Sequence, residues 1–211
     1  MSEHGTDAYL GAMDLPPLVT RAVTAARERG FAHSCRPEQG RLLRALASGA
    51  PSAIGETGTG CGVGLAWLAP GAGPDVRLVS VERDPALARI AADLFGDDPR
   101  VTVLRGDWRE IVAHGPFDLL ALDGGGQGKH PGDPPADPEE LLTRRGTVLI
   151  DDFTPGFHPD PPREHWLSPR RRPGLSSARP SPPLRGWTPR SRGRIAAPAR
   201  TTRRARRGGR R

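Results

Sequence analysis

Ala53-Ile54-Gly55-Glu56-Thr57-Gly58-Thr59-Gly60-Cys61-Gly62-Val63 decides how this chain reads: a short apolar run ends in an acid, then gives way to a glycine at every second position. Glycines at 58, 60 and 62 let a backbone turn sharply and approach a ligand, between a strand and a helix whose first amides are free. The pattern is that of a nucleotide-cofactor loop. A dinucleotide loop reads G-x-G-x-x-G, but three residues beyond Gly60 stands Val63, and three beyond Gly62 stands Leu65. The dinucleotide register fails. A Gly-rich surface turn is the plain alternative, and it needs neither an acid at a strand end nor a helix behind it.

Working outward, the same strand-helix rhythm repeats. Val63 to Ala69 reads as a short helix stopped by Pro70-Gly71. Val76–Val81 is a strand running into Glu82, and Asp84-Pro85 supplies an N-cap and a first-turn proline for a helix Ala86–Phe95 with Leu87, Ile90, Ala91 and Leu94 on one face. Val101–Leu104 is a third strand, leading through Gly106-Asp107-Trp108 into a short helix, and Phe117–Leu122 is a fourth, ending in Asp123. Asp137-Pro138 opens a helix that Gly146 closes, and Thr147–Ile150 is a fifth strand ending in Asp151-Asp152. Before the loop, Leu18–Arg29 and a stretch from Pro37 through Leu42, Leu43 and Leu46 read as two helices, and residues 1–16 as a loose arm. Alternating strands and helices predict an α/β fold, a doubly wound and mostly parallel sheet.

Ligands of such sheets bind outside the carboxyl ends of the strands. Those ends carry Glu56, Glu82, Asp107, Asp123 and Asp151-Asp152. Acids scattered for solubility would also fall at the opposite ends; these point to one cleft. The segment 124–136, with Lys129 and His130, is long for a connector in a compact domain and reads as a substrate-covering loop.

The run E-x-G-x-G-x-G from Glu56 to Gly62 resembles the first motif of class I S-adenosylmethionine-dependent methyltransferases, and the later acids resemble the catechol and caffeoyl-coenzyme A type of O-methyltransferases. The resemblance covers residues 34–156. It implies a Rossmann-like domain over 34–157, with 1–33 as an N-terminal arm and helix. It implies that Gly58, Gly60 and Gly62 wrap the methionine part of the cofactor. Glu82, 26 residues after Glu56, would accept both ribose hydroxyls. Asp107 would accept the adenine amino group with Trp108 beside the base, and Glu56 would act through the cofactor's cationic end or by ordering the loop. The residues alone leave Glu82 open to a helix-capping role and Trp108 to a core role. Asp123, Asp151 and Asp152 resemble the three ligands with which that family holds magnesium against both vicinal oxygens of the acceptor; carboxylates serving structure or cofactor are the alternative. The match departs in two places: Asp-Asp replaces Asp-Asn at the fifth strand, and Gly126 stands where the family has a lysine, leaving Asp123 and Lys129 as the catalytic pair, with Lys129 or His130 as base. The implied reaction is methyl transfer to a hydroxyl of a small molecule, and the family allows a homodimer.

Charge divides the chain. Residues 1–157 hold 15 Lys+Arg and 22 Asp+Glu, whereas 158–211 hold 16 Arg and 2 acids, so the net +7 arises in the tail. Thirty arginines against the single Lys129, with no Asn, indicate a G+C-rich bacterial gene. Cys35 and Cys61 make neither a disulfide framework nor a metal pair. No run is apolar enough to span a bilayer and the N-terminus resembles no leader, so the expectation is a cytoplasmic protein that does not enter membranes. Residues 168–211 are mostly Arg, Pro, Gly, Ser and Ala with apolar residues such as Leu184, Trp187 and Ile195 isolated among them, too poor in apolar surface to offset ordering entropy. The last strands of a methyltransferase sheet are not visible there. The tail reads either as a disordered basic arm for nucleic acid or as out-of-frame sequence from about Leu167, which would leave a truncated, inactive enzyme. A non-catalytic nucleic-acid binder is the competing function.

Overall fold

The computed structural model describes residues 4–125, 127, 133 and 136–150. Five strands, β1 Ala53–Thr57, β2 Arg77–Glu82, β3 Val101–Arg105, β4 Phe117–Leu122 and β5 Leu142–Ile150, form one sheet in the order β3-β2-β1-β4-β5. Every pairing is parallel. The helices are α1 Pro17–Glu28, α2 Pro37–Ala47, α3 Val63–Leu68, α4 Pro85–Phe95 and α5 Pro138–Leu141, with a 3-10 helix over Trp108–His114. After β3 the chain crosses to β4 on the other side of β1, so the β1–β4 junction is the switch point at which such sheets bind ligands.

The strand residues alternate between two cores, as a pleat requires. Ile54, Leu78, Leu119 and Ala121 pack with the helical layer of α1, α2, α3 and α4. Ala53, Val79, Val81, Leu120 and Leu122 face the opposite side, against Ile111, Ala136 and Leu141. All of β1 is buried. A central parallel strand covered on both faces is why its sequence shows no polar alternation. Asp84 caps α4 as its sequence promises, accepting from the N–H of Ala86 at 2.8 Å and of Leu87 at 3.1 Å. Those two N–H donors hold its carboxyl below the ordinary range. Among the described residues no helix is long and apolar enough to cross a membrane.

Two expectations are corrected. The segment before Pro16 is tied down from Thr6 onward: Thr6 N–H donates to Ala32 O at 3.0 Å, its hydroxyl donates to Phe31 O at 2.6 Å, and Tyr9, 3% exposed, accepts from Trp67 Nε1 at 2.9 Å. Every partner lies more than twenty residues away, so local composition carries no trace of the anchoring. At the other end, α5 stops at Leu141 and β5 begins at once. Phe117 pairs with Leu142 and Leu119 with Thr147, so residues 143–146 form an irregularity that Thr143 secures by donating its hydroxyl to Asp118 Oδ1 at 3.0 Å. Gly146 therefore belongs to the bulge and closes no helix. Of the three leucines that the sequence places in α2, Leu42 is 48% exposed, Leu43 takes the core position and Leu46 is half-buried. The expectations for residues 151–211, including missing strands and a basic arm, lie outside the described residues.

Candidate cofactor-binding site

The glycine loop leaves β1 and crosses the end of β2. Gly58 N–H donates to Val81 O at 2.8 Å, and Gly60 N–H donates to Glu82 Oε2 at 2.8 Å. Gly58 has φ +81 and Gly60 φ +55, left-handed values that favour glycine. A Cβ on Gly58 would fall 2.5 Å from Gly124 Cα, and one on Gly60 would fall 2.9 Å from the Phe31 ring. The glycines thus answer first to close contacts within the protein, where the sequence suggested room for a ligand.

Glu56 lies beneath this loop. It is 2% exposed, and its Oε2 accepts from Ser80 Oγ at 2.7 Å. Ser80 is its cross-strand neighbour, and its hydroxyl also pairs with Thr59 Oγ1 at 2.5 Å. Burial pushes the Glu56 carboxyl up to about 8, the Ser80 bond opposing and the Glu82 charge reinforcing the shift. A carboxyl so placed does not line the cleft. Of the two roles offered for it, ordering the loop is the one this position supports.

Glu82, at the end of β2, does line the cleft, a cavity of about 590 Å³ walled also by Gly58, Gly60, Asp107, Trp108 and Gly124. One carboxylate oxygen takes the Gly60 N–H; the other takes the Asp84 N–H at 2.8 Å. Each oxygen has a second lone pair, so two further donors can still be accepted. The helix cap falls to Asp84 instead. Asp107 begins the 3-10 helix, accepts from Arg109 N–H at 3.1 Å and forms an ion pair with Arg109 Nε at 2.6 Å. The Arg109 guanidinium holds its carboxyl below the ordinary range. Glu110 reciprocates by accepting the Asp107 N–H at 3.2 Å, completing a capping box. Trp108 borders the cleft and also packs against the core of its face, so both readings of it hold. Across the switch point, Asp123 N–H donates to Thr57 O at 3.0 Å, which fixes the start of the next turn. Lys129, His130, Asp151 and Asp152 lie outside the described residues. Among the described residues no group of three or more His, Cys, Asp or Glu is arranged to hold a metal ion.

Residues 56–153 match a family described as a methyltransferase domain. Over this stretch the chain is similar to a methyltransferase domain. A catechol O-methyltransferase from Mycobacterium tuberculosis is 34% identical over 161 residues, covering 69% of this chain and 62% of that protein. Two further mycobacterial relatives are covered over 51% and 50% of their lengths, so the chain spans about half to under two thirds of the curated proteins it matches. Among solved structures, the O-methyltransferase TomG from Streptomyces achromogenes, involved in tomaymycin synthesis and solved with S-adenosylmethionine, superposes with a TM-score of 0.55 at 25% identity, over 72% of this chain and 74% of that one. An O-methyltransferase from Bacillus cereus in complex with S-adenosylhomocysteine superposes at 0.50, with 23% identity over 59% and 62%, a likeness of fold.

The cleft also has residues that the sequence reading passed over. Phe31 and His33, edge to face with centroids 5.8 Å apart, reach the cleft from the link between α1 and α2. Arg83, Leu87, Arg109, Gly125 and Asp133 also belong to the wall. Phe-Ala-His between two helices offered a weak signal for the first pair: an aromatic where a solvated linker needs none. Arg83 and Arg109, each next to a candidate acid or one residue beyond it, offered no signal by type.

Proposed function

We propose that this protein transfers a methyl group from S-adenosylmethionine to a hydroxyl oxygen of a small molecule. One observation carries the reading. The glycine loop and the acid ending β2 meet through the 2.8 Å bond from Gly60 N–H to Glu82, at the wall of a cavity of about 590 Å³. That volume lies in the range of small-molecule sites, and the resemblance to the S-adenosylmethionine complex of TomG agrees with it. In this reading Glu82 accepts the two ribose hydroxyls with its remaining lone pairs. The base end lies toward Trp108 and Asp107, the latter sharing its carboxylate with Arg109. Glu56, kept largely protonated at neutral pH, supports the loop from below without placing a charge there. Bound S-adenosylmethionine supplies an electrophilic sulfonium methyl. The chain's own work is to orient it and to hold the acceptor hydroxyl where its proton can leave, with Asp123 and Lys129 the residues assigned to that step.

The finer proposal is an acceptor with vicinal hydroxyls and a divalent ion. The 34% identity to a catechol O-methyltransferase favours the first. For the second, Leu122 pairs with Ile150 across β4 and β5, and Asp123 and Asp151 follow them directly in the sequence. Asp123, Asp151 and Asp152 would offer magnesium the oxygen ligands that a hard cation prefers, and the ion would lower the pKa of a bound phenol. The test is transfer of labelled methyl from S-adenosylmethionine to catechol and to simple alcohols and phenols. Label on a catechol oxygen is the expected result. Label on nitrogen or carbon acceptors alone would overturn the oxygen specificity.

A further inference from the structure

We infer that Gln127 is a positioning residue, latching the turn that begins at Asp123 to the end of β1 so that the glycine loop and the far wall of the cleft are ordered together. The inference rests on the cofactor reading above. Gln127 is polar yet wholly buried, at 0% exposure, and its backbone has φ +60, a left-handed conformation that long side chains rarely adopt. Such a conformation persists where surrounding contacts over-determine it. Here they are visible: the side-chain amide Nε2 donates to Thr57 Oγ1 and to Gly125 O, each at 3.2 Å.

Both acceptors matter for the site. Thr57 ends β1, immediately before Gly58, and its carbonyl takes the Asp123 N–H. Gly125 is part of the cleft wall. Between them, Gly58 and Gly124 meet backbone to backbone: a Cβ on Gly124 would lie 3.0 Å from Gly58 N. One side chain therefore ties the cofactor loop to the turn bearing Asp123 at the switch point where ligands of such sheets bind. Removing the tie leaves both strands in the sheet, since neither bond belongs to the ladder, but lets the wall move relative to the loop.

The test compares wild-type protein with Gln127→Ala and Gln127→Asn, by calorimetric titration with S-adenosylhomocysteine and by amide exchange with and without it. Asn accepts the left-handed backbone but is one methylene too short, so it separates reach from strain. In wild type, S-adenosylhomocysteine should slow exchange at residues 58–62 and at 123–127 together. In both variants the slowing at 58–62 should remain, the slowing at 123–127 should disappear, and Kd should rise about 5-fold, the lower end of ordinary coupling between sites. Slowing of the turn that survives in the variants would overturn the inference, as would a wild-type turn that never responds. A fall in melting temperature with faster exchange in both segments before ligand is added would assign Gln127 a purely structural role. Wild type that shows no response at 58–62 would instead overturn the cofactor reading.

Discussion

Replacing Glu56 by Gln should remove most of the pH dependence of stability between pH 5 and 8.5. The buried carboxyl titrates at about 8 against an ordinary 4.5. Between those values the folded protein keeps a proton that the unfolded chain has lost, so stability falls as pH rises and levels off above 8. A shift of that size corresponds to about 5 kcal/mol in full, and the part expressed between pH 5 and 8.5 is about 4 kcal/mol. That is a large share of the roughly 5–15 kcal/mol by which domains are stable. Gln keeps the shape and the acceptor for Ser80 Oγ, and it has no proton to lose. Asp84, Asp98, Asp107 and Asp118 are all held below their ordinary range, so their contributions fade only in acid below this window. Urea unfolding at pH 5.0 and pH 8.5 reads the effect directly. Wild type should lose stability across the interval and Glu56→Gln should not. Parallel profiles for the two proteins, or a wild type that gains stability with pH, would refute the reasoning.

Tyr9→Phe should cost about 1–3 kcal/mol in thermal or urea unfolding, because it leaves the buried Trp67 Nε1–H without its acceptor at 2.9 Å; an unchanged midpoint would show that the N-terminal segment does not anchor there. Arg100→Ala should be comparably destabilising, since this guanidinium donates to Ala69 O, Ala72 O and Gly73 O behind α3 while pairing with Asp98 at 2.6 Å. Unfolding measured beside Arg89→Ala, which loses only an exposed pair, checks it: similar costs would contradict the clamp. Methyl transfer should stop on adding a strong chelator and return with magnesium, and transfer that continues unchanged would remove the metal and leave a general base alone.

The sheet was legible because acids fall at or near the strand ends and two helices announce their starts with a cap followed by proline, Asp84-Pro85 and Asp137-Pro138. The cleft was legible for the same reason: Gly58, Gly60, Glu82, Asp107 and Trp108, all named from sequence, line one cavity. What was hidden depends on distance in the chain. Thr6 and Tyr9 look like residues of a polar arm until Phe31, Ser34 and Trp67 stand beside them. Glu56 looks like another cleft acid, and only the β1–β2 register, which sets it against Ser80, reveals it as the floor of the loop. The start of β5 was misread because Leu141-Leu142 suits a helix as well as a strand, and the pairing with Phe117 decides between them. Gln127 carried no pattern at all; its meaning comes from Thr57, seventy residues earlier.

The claim on which the rest depends is that the cleft at the glycine loop binds an S-adenosyl cofactor through Glu82. Calorimetric titration of S-adenosylhomocysteine into the wild-type chain and into Glu82→Ala tests it most directly. Saturable binding to wild type is predicted, weakened in the variant by about 10- to 150-fold, as expected for loss of a charged acceptor worth about 1.5–3 kcal/mol. Folded wild type that takes up no ligand, or equal affinity in both proteins, would contradict the account.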